Sequence, residues 1–415
     1  MQRRWFIVLC MFLSIALMLV FAEVASAGAA PAGKPIRIGE INSYSGLATV
    51  FTFPYKEGIA MALNEINAAG GILGRRLEFV FRDDKLRPDE AVKMARELVF
   101  QEKVDFLAGC ISSAVGLAIS AWARENKSLY FATSCQTSRL TEEEGHRYIA
   151  HTTGNVNMFA RSMAKQAANL PYKKWAIIGP DYEYGHNVWD EFWAHLKQLK
   201  PDVEVVQEQW PKLGEADHSA FITALLQSGA EAVASSLWGG QSITFIKQAR
   251  PFGLFEKVKY FGAVIGSADE LDPLGKEAPV GAIGAQPFPW YDEGVQKAHP
   301  RLAEWVKKSK DFMGQEPKVG SQGGYVTVYV IAEAIKRAGS TDVEKVIGAL
   351  DKGFELEMPW GKVILRGCDH QALPPYWIGT VAFSPEERPI VKDIQEMHGK
   401  DLIRSCEEVL QKRKK

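Results

Sequence analysis

Hydroxyl and amide side chains recur in this chain where apolar runs end. Ser112-Ser113 follow Val104 to Gly109, and Ser134-Cys135-Gln136-Thr137-Ser138 include the residues just after Leu129 to Thr133. Both apolar runs have the length and composition of buried strands. A helical stretch at 114–125 comes next. Serine is a favoured helix cap, and hydroxyls beside the free N–H groups of a helix start also make an anion site that needs no arginine. The two roles are compatible, because one serine caps while its neighbour donates outward. Phe51, Tyr184 and Trp238 each lie at a strand end or in the loop that follows. Any one alone reads as core. Together, on one edge of a sheet, they read as walls around an apolar or aromatic group.

Signals for catalysis are weaker. There is no Gly-x-Ser-x-Gly elbow, no His-Glu-x-x-His and no phosphate loop. Gly70-Gly71-Ile72-Leu73-Gly74 follows a helix instead of preceding one, so it reads as a turn. His186, next to Tyr184-Gly185, reads as a capping or surface residue. Asp369-His370 has no second ligand at metal spacing and reads as a hairpin hydrogen-bonding pair. Asp83-Asp84, before Pro88, reads as a solvated turn.

The elements that position these residues alternate. Strands are expected at 36–41, 77–82, 104–109 and 129–133, with helices at 54–69, after Pro88 and at 114–125. A second strand–loop–helix start appears at Lys174 to Pro180 with a helix at 185–198, and strands follow at 203–206, 232–237 and 260–264. Such alternation demands parallel sheets covered by helices on both faces. Two starts imply two doubly wound units, with sites beyond the carboxyl ends of the strands. Near the C-terminus the rhythm breaks. Helices at 323–338 and 341–350 precede two antiparallel-looking strands, 361–365 and 376–383.

The chain has 415 residues, 47% hydrophobic and 24% charged, with a formal net charge of −1. This describes a globular protein and gives no reason to expect nucleic acid or an anionic membrane as partner. Arg3-Arg4, an uncharged run from Trp5 to Phe21 and Ala25-Ser26-Ala27 read as a secretory leader cut after Ala27, with a retained anchor as the alternative. Export brings an oxidising compartment. Of the three pairings open to Cys110, Cys135, Cys368 and Cys406, Cys110–Cys135 with Cys368–Cys406 is preferred, because the first two follow adjacent parallel strands about 4.8 Å apart. Their spacing fits no metal motif.

From Ile36 to about Pro385 the chain resembles the leucine/isoleucine/valine-binding protein family, with its type I periplasmic binding fold. The resemblance rests on Ser45-Gly46, the helix through Gly70-Gly71-Ile72-Leu73-Gly74, Asp83-Asp84, Ala91-Val92, Ser112-Ser113, Tyr182-Glu183-Tyr184-Gly185, Gly324-Tyr325 and Ala332-Glu333-Ala334-Ile335. It implies two doubly wound parallel-sheet lobes joined by three hinge crossovers, placed near 151, 278 and 357. The lobes are then 34–150 plus 279–356, and 151–278 plus 357–400. It implies ligand-carboxylate donors at Ser112, Ser113, Ser134 and Gln136, an aromatic cover at Phe51, and closure by Tyr184 and Trp238. The acid that holds the amino group in amino acid binders falls at Val264. A buried ammonium without a counter-charge costs roughly several kcal/mol. The expected ligand is therefore a small carboxylate with an apolar or aromatic tail. Amino acids are the alternative if Asp181 or Glu183 turns inward. The resemblance also implies a monomeric, non-enzymatic periplasmic receptor, without cofactor, that serves an ABC permease. A sensor is disfavoured by the lack of a fused membrane or kinase segment, and a hydrolase by the lack of a nucleophile–base pair.

Overall fold

The computed structural model describes residues 33–286 and 288–414, so the expected leader lies outside the described residues. Strands β1 (Ile36–Asn42), β2 (Leu77–Asp83), β3 (Phe106–Gly109), β4 (Tyr130–Ala132) and β5 (Ile149–His151) form one sheet, in the order β2-β1-β3-β4-β5. All its pairings are parallel. Side chains alternate across it. Ile36, Ile38, Phe106, Ala108 and Phe131 enter one core, while Ile41, Leu107, Tyr130 and Ala132 enter the core on the opposite face.

The second sheet holds β6 (Lys174–Ile178), β7 (Glu204–Gln209), β8 (Ala232–Ser235), β9 (Lys259–Gly262) and β10 (Ile283–Ala285) in parallel. Next in the chain, β11 (Phe354–Met358), β12 (Gly361–Leu365) and β13 (Ala372–Leu373) make a separate antiparallel sheet. Antiparallel β14 (Pro375–Phe383) and β15 (Pro389–His398) then complete the second sheet, in the order β15-β14-β10-β9-β8-β6-β7. Each large sheet is the frame of one lobe.

Two expected crossovers are displaced. The one placed near 278 falls after β10, because β10 pairs with β9 and β14 in the second sheet. The one placed near 357 falls inside β11, and the crossing comes at Pro374. Phe354, Met358, Trp360, Val363 and Leu365 are buried in the same core as the first lobe's β1 and β3, and that burial holds the small sheet to the first lobe. The segments 361–365 and 376–383 are both antiparallel strands, but each pairs in a different sheet.

Asp369-His370-Gln371 ties two crossing segments together. Gln371 donates from Nε2 to the Thr153 carbonyl at 2.7 Å, and the backbone N–H of His151 donates to the His370 carbonyl at 2.9 Å. Past β15, the Cys368–Cys406 disulfide (Cα–Cα 6.0 Å) and Arg404 anchor the C-terminal helix Cys406–Lys412. Arg404 pairs with Glu142 of the first lobe and Glu191 of the second.

Candidate functional site

The loops after β1, β3 and β4 of the first lobe meet those after β6, β8, β9 and β10 of the second. Between them lies a cavity with about 480 Å³ of empty space counted out to its mouth. Phe51, Ser134, Gln136, Tyr184, Trp238 and Val264 all line it. So do Tyr182, named above only as part of a family motif, and Ile111, Gln286, Val319 and Gly320, for which the sequence carried no site expectation.

Phe51 reaches the cavity from a helix and not from a loop. Helix Thr49–Ala68 starts five residues before Pro54, and a short 3-10 turn, Gly46–Ala48, leads into it. Pro54 therefore lies inside the helix, where it has no N–H to give the Val50 carbonyl, and does not mark the start. Ile111, Ser134 and Gln136 share a different support. Cys110 and Cys135 are joined by a disulfide with a Cα–Cα distance of 5.4 Å, which cross-links the loops after β3 and β4. Cys110 is held at φ 79°, and its N–H donates to the Ile41 carbonyl at 2.8 Å.

Ser112 and Ser113 lie behind this wall. Neither is among the lining residues, and both are buried. Ser112 is the N-cap position of helix Ser113–Glu125, and the Ser113 hydroxyl accepts the N–H of Thr137 at 3.2 Å. In this closed arrangement Ser113 supports the 134–138 loop, and neither serine faces the cavity, where both were expected.

The second lobe contributes aromatic rings from helix starts. Tyr182 and Trp238 are the N-cap positions of helices Glu183–Leu199 and Gly239–Ala249, and Tyr184 is in the first turn of the former. The Tyr184 hydroxyl is buried and has no hydrogen-bond partner among the described residues; burial raises its pKa well above the ordinary tyrosine value.

No Asp, Glu, Lys, Arg or His is among the lining residues. Asp181 pairs with the exposed His186 at 2.8 Å, and His186 stacks on Trp210. Glu183 accepts the Thr137 hydroxyl at 2.7 Å and pairs with Arg139 at 2.7 Å. Neither acid turns inward. The buried acids nearby are also engaged. Glu270 accepts from Gly239 N at 2.6 Å and Ser242 Oγ at 2.9 Å, and burial raises its carboxyl to about 8. Asp269 accepts from Val319 N at 2.9 Å and Gly320 N at 3.2 Å, and burial raises it to about 6.

Several of these contacts cross between the lobes. Asp269 of the second lobe meets the start of the first-lobe helix Val319–Ala338; Ser138 N donates to Asn187 Oδ1 at 3.0 Å. Leu47 packs over Gly239 and Gly240, where a Cβ on Gly239 would strike its carbonyl. Gln136 and Gln286 form a reciprocal amide pair at 2.9 and 3.0 Å. Gln286 holds φ 57°, an uncommon conformation for a non-glycine residue. The lobes are closed on one another.

Sequence signals existed for part of what was missed. Tyr182 stands two residues before Tyr184. Val319 and Gly320 open a helix whose expected start was 323. Gln286 follows a strand of three residues, too short for a periodic signal. Among the described residues no helix is long and apolar enough to cross a membrane, and no group of three His, Cys, Asp or Glu could hold a metal.

The pattern of the family described as "Periplasmic binding protein" matches residues 35–386. Among curated proteins, "Leu/Ile/Val-binding protein homolog 7" of Brucella suis is 27% identical over 335 residues, covering 78% of this chain and 82% of its own. The "Leucine-, isoleucine-, valine-, threonine-, and alanine-binding protein" of Pseudomonas aeruginosa is 26% identical over 351 residues, covering 83% of this chain and 90% of its own. A solute-binding protein of an ABC transporter from Rhodopseudomonas palustris BisB5, solved with 3,4-dihydroxy benzoic acid, superposes with a TM-score of 0.77 at 23% identity. It covers 88% of this chain and 98% of its own.

Proposed function

The chain belongs to the periplasmic binding protein family, and from that premise we propose that it captures a small carboxylate with an apolar or aromatic tail and delivers it to an ABC permease. The observation that carries the choice of ligand is the wall without charge. Ser134, Gln136 and Gln286 offer neutral donors, Phe51, Tyr184 and Trp238 offer rings, and Val264 lines the cavity at the position where the resemblance puts the acid of the amino acid binders. Burying an unpaired ammonium there costs roughly several kcal/mol, whereas a carboxylate is served by hydroxyl and amide donors. The benzoate-type ligand of the Rhodopseudomonas structure is in keeping with this reading; the amino acids named for the Pseudomonas relative are the second reading. Closure is the mechanism. A ligand touched by both lobes favours the closed arrangement by its differential contacts.

The test is a thermal unfolding series with 4-hydroxybenzoate, 3,4-dihydroxybenzoate and leucine, since a ligand of the folded state raises the transition by mass action. The aromatic acids are expected to raise it and leucine to leave it in place; a rise with leucine alone overturns the reading. Val264→Glu is expected to shift the leucine to 4-hydroxybenzoate affinity ratio towards leucine by about tenfold or more, equal to about 1.4 kcal/mol, measured by calorimetry.

A further inference from the structure

A second cavity lies directly beyond the first. It shares Ser134, Gln136, Gln286 and Val319 with it and is walled by Phe159, Trp360, Tyr376 and Trp377, with Thr153 and Gln322 as polar members. Its empty space is about 680 Å³ counted out to its mouth. The Gln136–Gln286 pair stands at the boundary, one glutamine from each lobe. No Asp, Glu, Lys, Arg or His lines this cavity either.

Two independent features mark the second cavity as more than a packing fault. Helix Val319–Ala338 carries glycines at 320, 323 and 324. A Cβ at 320 would strike the Phe51 carbonyl and one at 324 the Tyr55 carbonyl, so those two permit close helix contact. At Gly323 a Cβ would meet nothing nearer than 3.9 Å. Glycine weakens a helix interior, and no contact demands it there; its effect is to keep the chamber open. In addition, the indole N–H of Trp377, a residue of the chamber wall, is buried and has no hydrogen-bond partner among the described residues. A buried donor of this kind is normally satisfied, and an acceptor on a ligand would satisfy it.

We propose that the two cavities are the halves of one ligand cleft, and that the ligand is an acid with an apolar group on each side of a central amide: an N-acylated amino acid. This rests on the carboxylate reading above. Each glutamine presents one carbonyl and one NH2 group, so a secondary amide matches the pair, its carbonyl accepting from one and its N–H donating to the other, and of the three donors named above Ser134, which lines both cavities, is left for the carboxylate. Because the glutamines belong to opposite lobes, a small rotation of the lobes widens the gap and lets the ligand's amide replace their mutual hydrogen bonds. One apolar arm then lies against Phe51 and Trp238, the other against Phe159 and Trp360. Acylation also removes the ammonium charge, for which the walls hold no partner.

The test is calorimetry of the intact chain with benzoate, leucine and N-benzoyl-leucine, repeated on Gly323→Met, which places a side chain in the second chamber. N-benzoyl-leucine is expected to bind at least tenfold tighter than benzoate, and Gly323→Met to reduce that ratio at least fivefold. Benzoate binding as tightly as N-benzoyl-leucine to the native chain overturns the two-chamber proposal and leaves the carboxylate reading standing. An unchanged ratio in Gly323→Met also overturns it. Leucine binding where neither acid binds overturns the carboxylate reading itself. The native chain's own ligand series decides the matter even where the variant fails to fold.

Discussion

The first lobe meets the ligand cavity with Ile111, Ser134 and Gln136, on loops cross-linked by Cys110–Cys135; the second meets it with Tyr182, Tyr184 and Trp238, at two helix starts that no covalent bond joins. The cross-linked loops bring Ser134 and Gln136 and are tied covalently; the two helix starts bring rings and are held by packing, while Phe51 of the first lobe and Gln286 of the second run against that division. Closure contacts such as Asp269 with the N–H groups of Val319 and Gly320 join the lobes at the cavity's edge. A division of labour follows. Under the proposed function, the cross-linked loops would position the ligand's polar group, and the rings at the helix starts would supply apolar area that favours closing.

The largest effect should come from breaking the fixed wall. Cys110→Ser with Cys135→Ser is expected to lower stability by about 3 kcal/mol in denaturant unfolding, by the usual loss on opening a loop of this size. A loss under about 1 kcal/mol would show that the cross-link adds little constraint. Next is the aromatic wall. Trp238→Ala is expected to weaken 4-hydroxybenzoate binding by about 2–3 kcal/mol, the value of burying a large ring. Calorimetry checks it, and affinity within twofold of native sinks the assignment.

A third test compares the lobes through their buried acids. Glu40 in β1 and Glu270 in the second lobe are each raised from 4.5 to about 8 by burial. Between those pH values the folded chain keeps a proton that the unfolded chain has released. The stabilising contribution is thus complete below 4.5 and falls as pH rises towards about 8. Glu270→Gln is expected to flatten this fall and to exceed the native chain at its upper end by on the order of 1 kcal/mol. Thermal unfolding across pH reads the slope, and parallel curves reject the account. The smallest effect belongs to the residues behind the fixed wall. Ser112→Ala with Ser113→Ala is expected to change 4-hydroxybenzoate affinity by less than about 0.5 kcal/mol; a tenfold loss would return these serines to the binding surface.

The alternation of strands and helices was legible because each buried strand carries its own apolar run, as in Phe106–Gly109 and Ala232–Ser235. The cavity edge was legible for the same reason: Trp238 and Ser134 stand just past such runs. Ser112 and Ser113 were ambiguous because a serine that supports a neighbouring loop and one that faces a ligand have the same local pattern. Gln286 was invisible, since a three-residue strand beside a crossing leaves no period to read. The crossing at Pro374 was misplaced because nothing local tells a strand which sheet will receive it. Phe354, Met358 and Trp360 decide that by long-range burial. The reading of Asp83-Asp84 failed in the same way. Asp84 is fully buried, where it holds Leu86 N at 2.8 Å, and Asp83 holds Tyr44 N at 3.0 Å.

The bond between Cys110 and Cys135 carries a consequence for anyone handling this chain. Material made where thiols stay reduced would leave Ile111, Ser134 and Gln136 on untethered loops. Two preparations of one sequence would then rank the same compounds differently, with the discrepancy traceable to where the chain was made. A thiol count belongs beside every affinity.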